Sequence, residues 1–135
     1  MNDSSSPLLQ ILHAAQRLEA RLEAELDEAG LSMAKLGVLR CLTAAKEPLA
    51  LGGVAESVRC VRSNVTQLVD RLEADGLVRR VGHPAGRRVK RAELTAAGRR
   101  AHADGAKIMA RHEATVTEAL GSEAAALARA LERLG

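Results

Sequence analysis

Apolar positions from Leu8 to Ala29 repeat with a helical period. Leu8, Leu12, Ala15, Leu22, Leu26 and Ala29 are separated by steps of three, four or seven, while Glu and Arg fill the other faces. This predicts a first helix over 8–29, closed by Gly30 as the left-handed residue beyond its end. The polar residues 1–7, ending at Pro7, read as a disordered tail. Ser32 is placed to cap a second helix over 33–45, whose apolar face holds Leu36, Val38, Leu39 and Leu42 and which Pro48 stops. Leu49-Ala50-Leu51 predicts a brief strand, and 52–58 a short helix with Val54, Ala55 and Val58 inward. After a tight connection at Arg59-Cys60-Val61, the run RSNVTQLVDRLEADG (62–76) places Val65, Leu68, Val69 and Leu72 at i, i+3, i+4 and i+7. That is an amphipathic helix, ended by Gly76.

The period then shortens to two. Residues 77–82 alternate apolar and basic side chains and predict a strand. HPAGRR (83–88), with Pro84 and Gly86, predicts a turn, and 89–94 a returning strand. Thr95 can cap a long helix over 96–119 with Ile108, Met109, Val116 and Leu120 on its apolar side. Gly98 and Gly105 are expected to weaken that helix, each by up to about 1 kcal/mol relative to Ala. Gly121-Ser122 breaks the chain, and a last helix over 123–134 presents Leu127, Leu131 and Leu134.

Two short helices at a tight turn followed by a basic hairpin define a winged helix-turn-helix. The fold class is therefore mainly α with a small β-hairpin wing. The winged helix-turn-helix lobe spans 32–95, and a helical dimerisation region spans 8–31 and 96–135. The first and last helices carry more apolar surface than the small central lobe can cover, which predicts that they pair across a two-fold axis in a homodimer.

Composition narrows the functional classes. With 135 residues, 47% hydrophobic and 27% charged, the chain is the size and make-up of one folded soluble domain. No apolar run approaches the roughly 20 residues that cross a bilayer, and MNDSSSPLLQ lacks the basic and apolar regions of a signal peptide. A cytoplasmic protein without a membrane partner is expected. The chain has no Phe, Tyr or Trp, so its core is aliphatic. It also lacks the rings on which single-strand binders and most RNA modules stack bases. The net charge is +3, but residues 76–100 hold eight basic residues against one acid, Glu93, leaving an acidic balance elsewhere. Charge so localised points to an anionic partner at the hairpin.

The segments LSMAKLGVLRCL, VAESVRCVRSNVTQLVDRLEADGLVRR and GRRVKRAELTAAG, at this spacing, resemble the MarR family of bacterial regulators. The resemblance covers about residues 8–134. It implies a dimeric, sequence-specific regulator of transcription on double-stranded DNA, bound to a pseudo-palindromic operator, and a repressor released by a small ligand or an oxidant. It also implies a ligand pocket where the first, second and long fifth helices meet the DNA-binding lobe, with His13, Arg17 and Met33 as candidate lining. Two positions depart from the family pattern. Gly86 stands where an Asp commonly precedes the wing's Arg pair. Cys60 and Val61 stand where a small turn residue and a Ser or Thr cap are usual, so the helix start leans on Ser63 or on backbone bonds.

In a winged helix-turn-helix the recognition helix lies in the major groove with its N-terminal residues toward base edges. Hiding Val65, Leu68, Val69 and Leu72 turns Ser63, Thr66, Gln67 and Asp70 outward, with Arg62, Asn64 and Arg71 on the flanks. Arg62 suits guanine, Asn64 or Gln67 suits adenine, and Ser63 and Thr66 suit a phosphate or a base. At the wing tip, Arg87 and Arg88 are placed to enter a narrow minor groove. Lys90 shares the strands with Arg79, Arg80 and Arg91, and alternation lets only some of these face DNA while the rest must face solvent or acids. Arg99 and Arg100 are expected in salt bridges.

Other chemistry is thin. His13, His83, His102 and His112 form no metal motif; His102 and His112, ten residues apart, point about 80° away from each other on a helix. No P-loop, dinucleotide fingerprint or nucleophile elbow is present, so neither a cofactor nor an enzymatic activity is expected. Cys60, flanked by Arg59 and Arg62, has two readings: an oxidant-sensitive thiol favoured by nearby positive charge, or a structural thiol filling the turn. Cys41 reads as core. The alternative function is a helical protein-interaction adaptor that uses its basic wing to dock an acidic partner.

Overall fold

The computed structural model describes residues 6–58, 62–82 and 90–135. Its elements follow the predicted order: α1 (Pro7–Glu28), α2 (Met33–Ala44), β1 (Leu49–Ala50), α3 (Leu51–Ser57), α4 (Arg62–Ala74), β2 (Val78–Gly82), β3 (Lys90–Leu94), α5 (Ala96–Leu120), a 3-10 turn (Gly121–Glu123) and α6 (Ala124–Glu132). Helix α1 starts earlier than predicted. Pro7 is its first residue, and Ser6 caps it by accepting from Leu9 N at 3.3 Å. Proline suits that position because a first-turn N–H has no helical acceptor to lose. The tail thus stops short of residues 6 and 7; residues 1–5 lie outside the described part.

Two helices end in the same way. Gly30 (φ 74°) follows α1 and Gly76 (φ 77°) follows α4. Beyond each, the next N–H bridges back over the turn, Leu31 N to Leu26 O and Leu77 N to Leu72 O, both near 2.9 Å. This is the Schellman arrangement, which needs the left-handed glycine and seats an apolar residue after it. Ser32 and Thr95 cap α2 and α5 as their positions predicted, accepting from Lys35 N and Gly98 N.

Among the described residues the sheet is three-stranded and antiparallel in the order β1-β3-β2. Val78 faces Leu94, Arg80 faces Ala92 and Leu49 faces Ala92 across the ladders. Val78, Ala92 and Leu94 are buried, so this side of the sheet is the core side. The core itself is aliphatic. Leu26, Val38, Leu39, Val54, Val65, Val69 and Leu72 are completely buried within it.

The glycines of α5 are contact points. A Cβ at Gly98 would run into the Leu77 carbonyl, and one at Gly105 would press on Leu31 and Leu36. The helix gives up propensity there to approach the strand and α2 closely. Thr95 fastens the same junction: its N–H donates to Leu77 O (3.1 Å) and its hydroxyl to Gly76 O (2.7 Å). Gly98→Ala should therefore destabilise the protein by about 1–3 kcal/mol through overpacking against backbone. Gly52→Ala, where an added methyl meets nothing within 4 Å, should change stability by no more than about 1 kcal/mol. Urea unfolding at matched protein concentration measures both; equal effects would discount the close approach.

Candidate nucleic-acid interface

Helix α4 packs one side against α3, α2 and β2. Val65, Val69 and Leu72 on that side have no accessible surface, and Leu68 is half-buried beside them. Burying each such side chain contributes roughly 1.5–3 kcal/mol, so the helix cannot roll about its axis without exposing them. The opposite side is thereby presented outward, where Asn64, Gln67, Asp70 and Arg71 are exposed and Thr66 is half-buried. Arg62 and Ser63 open α4, but their side chains lie outside the described part, as do Cys60, Arg87 and Arg88.

The basic residues of the hairpin divide by strand face. Arg79 and Glu93 are cross-strand neighbours and pair at 2.6 Å. Arg91 donates to Gly82 O at 3.2 Å. Arg80 sits on the core side and reaches α4, with Nη2 2.6 Å from Asp70 Oδ1 and Nη1 2.8 Å from Glu73 Oε1. Partial burial opposes the Arg80 charge, but the two carboxylates outweigh it and hold the guanidinium above its ordinary pKa. Lys90, exposed at the base of the wing, has no side-chain partner among the described residues. The same holds for the Arg71 guanidinium on α4.

Arg99 and Arg100 depart from expectation. Both are exposed on the first turn of α5, and among the described residues neither makes an ion pair. Asp104 follows Arg100 by one turn, which is the weaker order for a helical pair, and Glu93 is already held by Arg79.

A cavity of about 290 Å³ lies between α1, α2 and α5, walled by Leu18, Leu22, Met33, Met109 and Val116 with Glu19, His112 and Glu113. Met33 thus lines it, whereas His13 and Arg17, exposed on α1, are not among its wall residues. His112 Nε2 lies 3.0 Å from Glu25 Oε1, at ion-pair distance but off the direction a hydrogen bond needs. Cys41 is a free, half-buried thiol packed against the core and lining a wider groove between α2, α3 and α4. Among the described residues no group of His, Cys, Asp or Glu is arranged to hold a metal ion, and no helix is long and apolar enough to cross a membrane.

The sequence leaves open which basic residues of the hairpin face acids, and Arg80 is one that does. The signal was available: counting by twos from Val78 puts Arg80 on the inner face, where an arginine requires acids within reach.

The MarR family model matches residues 31–90, which contain the second helix, the helix pair and the start of β3. No curated protein matches the chain. Among solved structures, the transcriptional repressor CouR bound to a 23-mer DNA duplex is 28% identical, covering 97% of this chain and 93% of that one with a TM-score of 0.85. A MarR-family transcriptional regulator from Silicibacter pomeroyi is 26% identical over 98% and 90% of the two chains, with a TM-score of 0.70. CouR from Rhodococcus jostii RHA1 bound to p-coumaroyl-CoA is 24% identical over 99% and 92%, with a TM-score of 0.76.

Proposed function

We propose that the chain is a MarR-family protein, a sequence-specific double-stranded DNA-binding transcriptional regulator and a repressor that a small organic ligand releases from its operator. The observation that carries this reading is the fixed rotation of α4. Its apolar side is locked in the core while Asn64, Gln67 and Arg71 stand outward beside a hairpin whose Lys90 is uncommitted. A polar helix face and a basic wing on one side of a small lobe fit the major groove and the flanking backbone of a duplex. A relative of full-length similarity is a repressor seen on a DNA duplex. Arg62, Ser63 and Thr66 on the helix, and Arg87 and Arg88 on the wing, complete the proposed contact set.

The protein acts as a homodimer in this reading. Leu8, Leu12 and Leu18 of α1 and Leu127, Leu131 and Leu134 at the C-terminal end are all at least 40% exposed. So many large apolar side chains left in water on the terminal helices call for a cover, and a second copy supplies a matching face. The cavity between α1, α2 and α5 is the proposed effector site, with Met33 in its wall; a similar protein carries p-coumaroyl-CoA. The location is the cytoplasm, where a regulator meets its operator.

Fluorescence anisotropy on a labelled duplex from upstream of the protein's own gene, against random duplex at several salt concentrations, tests the assignment. Tight binding to the first, well above the random control, is expected. Arg71→Ala and Lys90→Ala should weaken binding to every sequence and each flatten the log–log salt slope by about one unit, whereas Gln67→Ala should change which sequence is preferred. Equal, weak and salt-erased binding to both duplexes would contradict the reading and favour an acidic protein partner. Leu12→Glu with Leu131→Glu should convert the dimer to monomer in sedimentation equilibrium; an unchanged mass would remove the dimer interface from these helices.

A further inference from the structure

The acids at the C-terminal end of α4 are all engaged by cations from other elements. Asp70 and Glu73 are held by Arg80 of β2, and Asp75, just past the helix end, by Lys35 of α2 at 3.3 Å. Arg71, set among these acids in sequence and one helical turn from Asp75, is left without a side-chain partner among the described residues. The pairing therefore cancels the negative charge of this surface and spares its positive charge.

Arg80 makes the larger part of that arrangement. Its register opposite Ala92, two residues after buried Val78, is a core-side position that alternation would give to an apolar residue. Its side chain is 20% exposed, against 59% for Asp70 and 43% for Glu73. The guanidinium thus comes from beneath, and the carboxylates lie toward solvent on the outward side of α4. Glu73 is held twice, since its Oε2 also accepts from the Arg80 backbone N at 3.2 Å. One residue ties the strand that carries the wing to the helix that carries the reading face.

We propose that Arg80 is a positioning residue for DNA recognition: it masks Asp70 and Glu73 from the phosphate backbone and leaves Arg71 to meet it. This rests on the DNA-binding reading above. With the mask removed, two carboxylates one turn apart face a polyanion, and the repulsion is screened by salt. A bare loss of packing would not be.

The test compares wild type with Arg80→Met, Arg80→Lys and the neutral triple variant Arg80→Met/Asp70→Asn/Glu73→Gln, each by anisotropy over a salt series, with folding checked by circular dichroism. Arg80→Met should lose about tenfold or more in affinity at low salt, with the deficit narrowing as salt rises. The triple variant should regain most of the loss, and Arg80→Lys should fall between wild type and Arg80→Met because an ammonium cannot fork to both acids. A deficit that salt leaves unchanged, or a triple variant no better than Arg80→Met, would overturn the proposal while leaving the DNA-binding reading intact. Wild type that binds no duplex would overturn both. Should Arg80→Met fail to fold, Asp70→Asn/Glu73→Gln alone decides: freeing Arg80 and deleting both acids should tighten binding to all sequences, and unchanged or weaker binding would overturn the proposal.

Discussion

The rotation of α4 about its own axis is the constraint on which the rest depends. Val65, Val69 and Leu72 are completely buried against α2, α3 and β2. A turn of one residue would bring an apolar side chain into water and drive a polar one into an aliphatic core with no aromatic or polar partner to receive it. The residues proposed to read base edges stand on the opposite side of the same thirteen-residue helix. In that reading specificity is a consequence of packing: the core chooses which of them the groove meets.

Strand β2 is held by two further fastenings. At one end, Thr95 and Gly98 clamp the start of α5 to the carbonyls of Gly76 and Leu77, at the turn leading from α4 into β2. At the other, Arg80 binds the strand back to α4 through Asp70 and Glu73. Helix α5 continues to α1, where Glu25 meets Arg111 and His112. A physical path thus runs from the cavity beside Met33 and His112, along α5, to the junction that orients helix and hairpin. A ligand that shifted α5 relative to α2 would act on that junction through Gly105 and Gly98, the two points where the helix has no side chain to absorb movement.

Much of this was legible in the sequence. Helical spacing located α1, α2, α4 and α5, a change of period located the hairpin, and Ser32 and Thr95 marked helix starts that the structure caps through those side chains. The MarR resemblance, carried by the segments around α4 and the wing, agrees with the family match over residues 31–90. What was not legible depended on partners distant in sequence or on local geometry. Pro7 looked like the end of a tail because its helix-starting role depends on the Ser6 cap. Gly98 and Gly105 looked like weak points because the carbonyl and leucines they admit lie on other elements. Alternation puts Arg80 on the inner face, but which acids receive it is not legible, because they come from a helix seven and ten residues earlier. Arg99 and Arg100 carry charge suited to salt bridges, but among the described residues neither finds an acid in a favourable position.

The central claim is that the outward side of α4 sits in the major groove of each half of a two-fold operator. Dimethyl sulfate protection of the bound duplex tests it directly, because guanine N7 is exposed in the major groove and adenine N3 in the minor. The account predicts two clusters of guanine N7 protection about one helical turn, or a multiple of it, apart, with Gln67→Ala or Asn64→Ala altering the pattern inside the clusters. Protection confined to adenine N3, or none at guanine N7 under saturating protein, would contradict it.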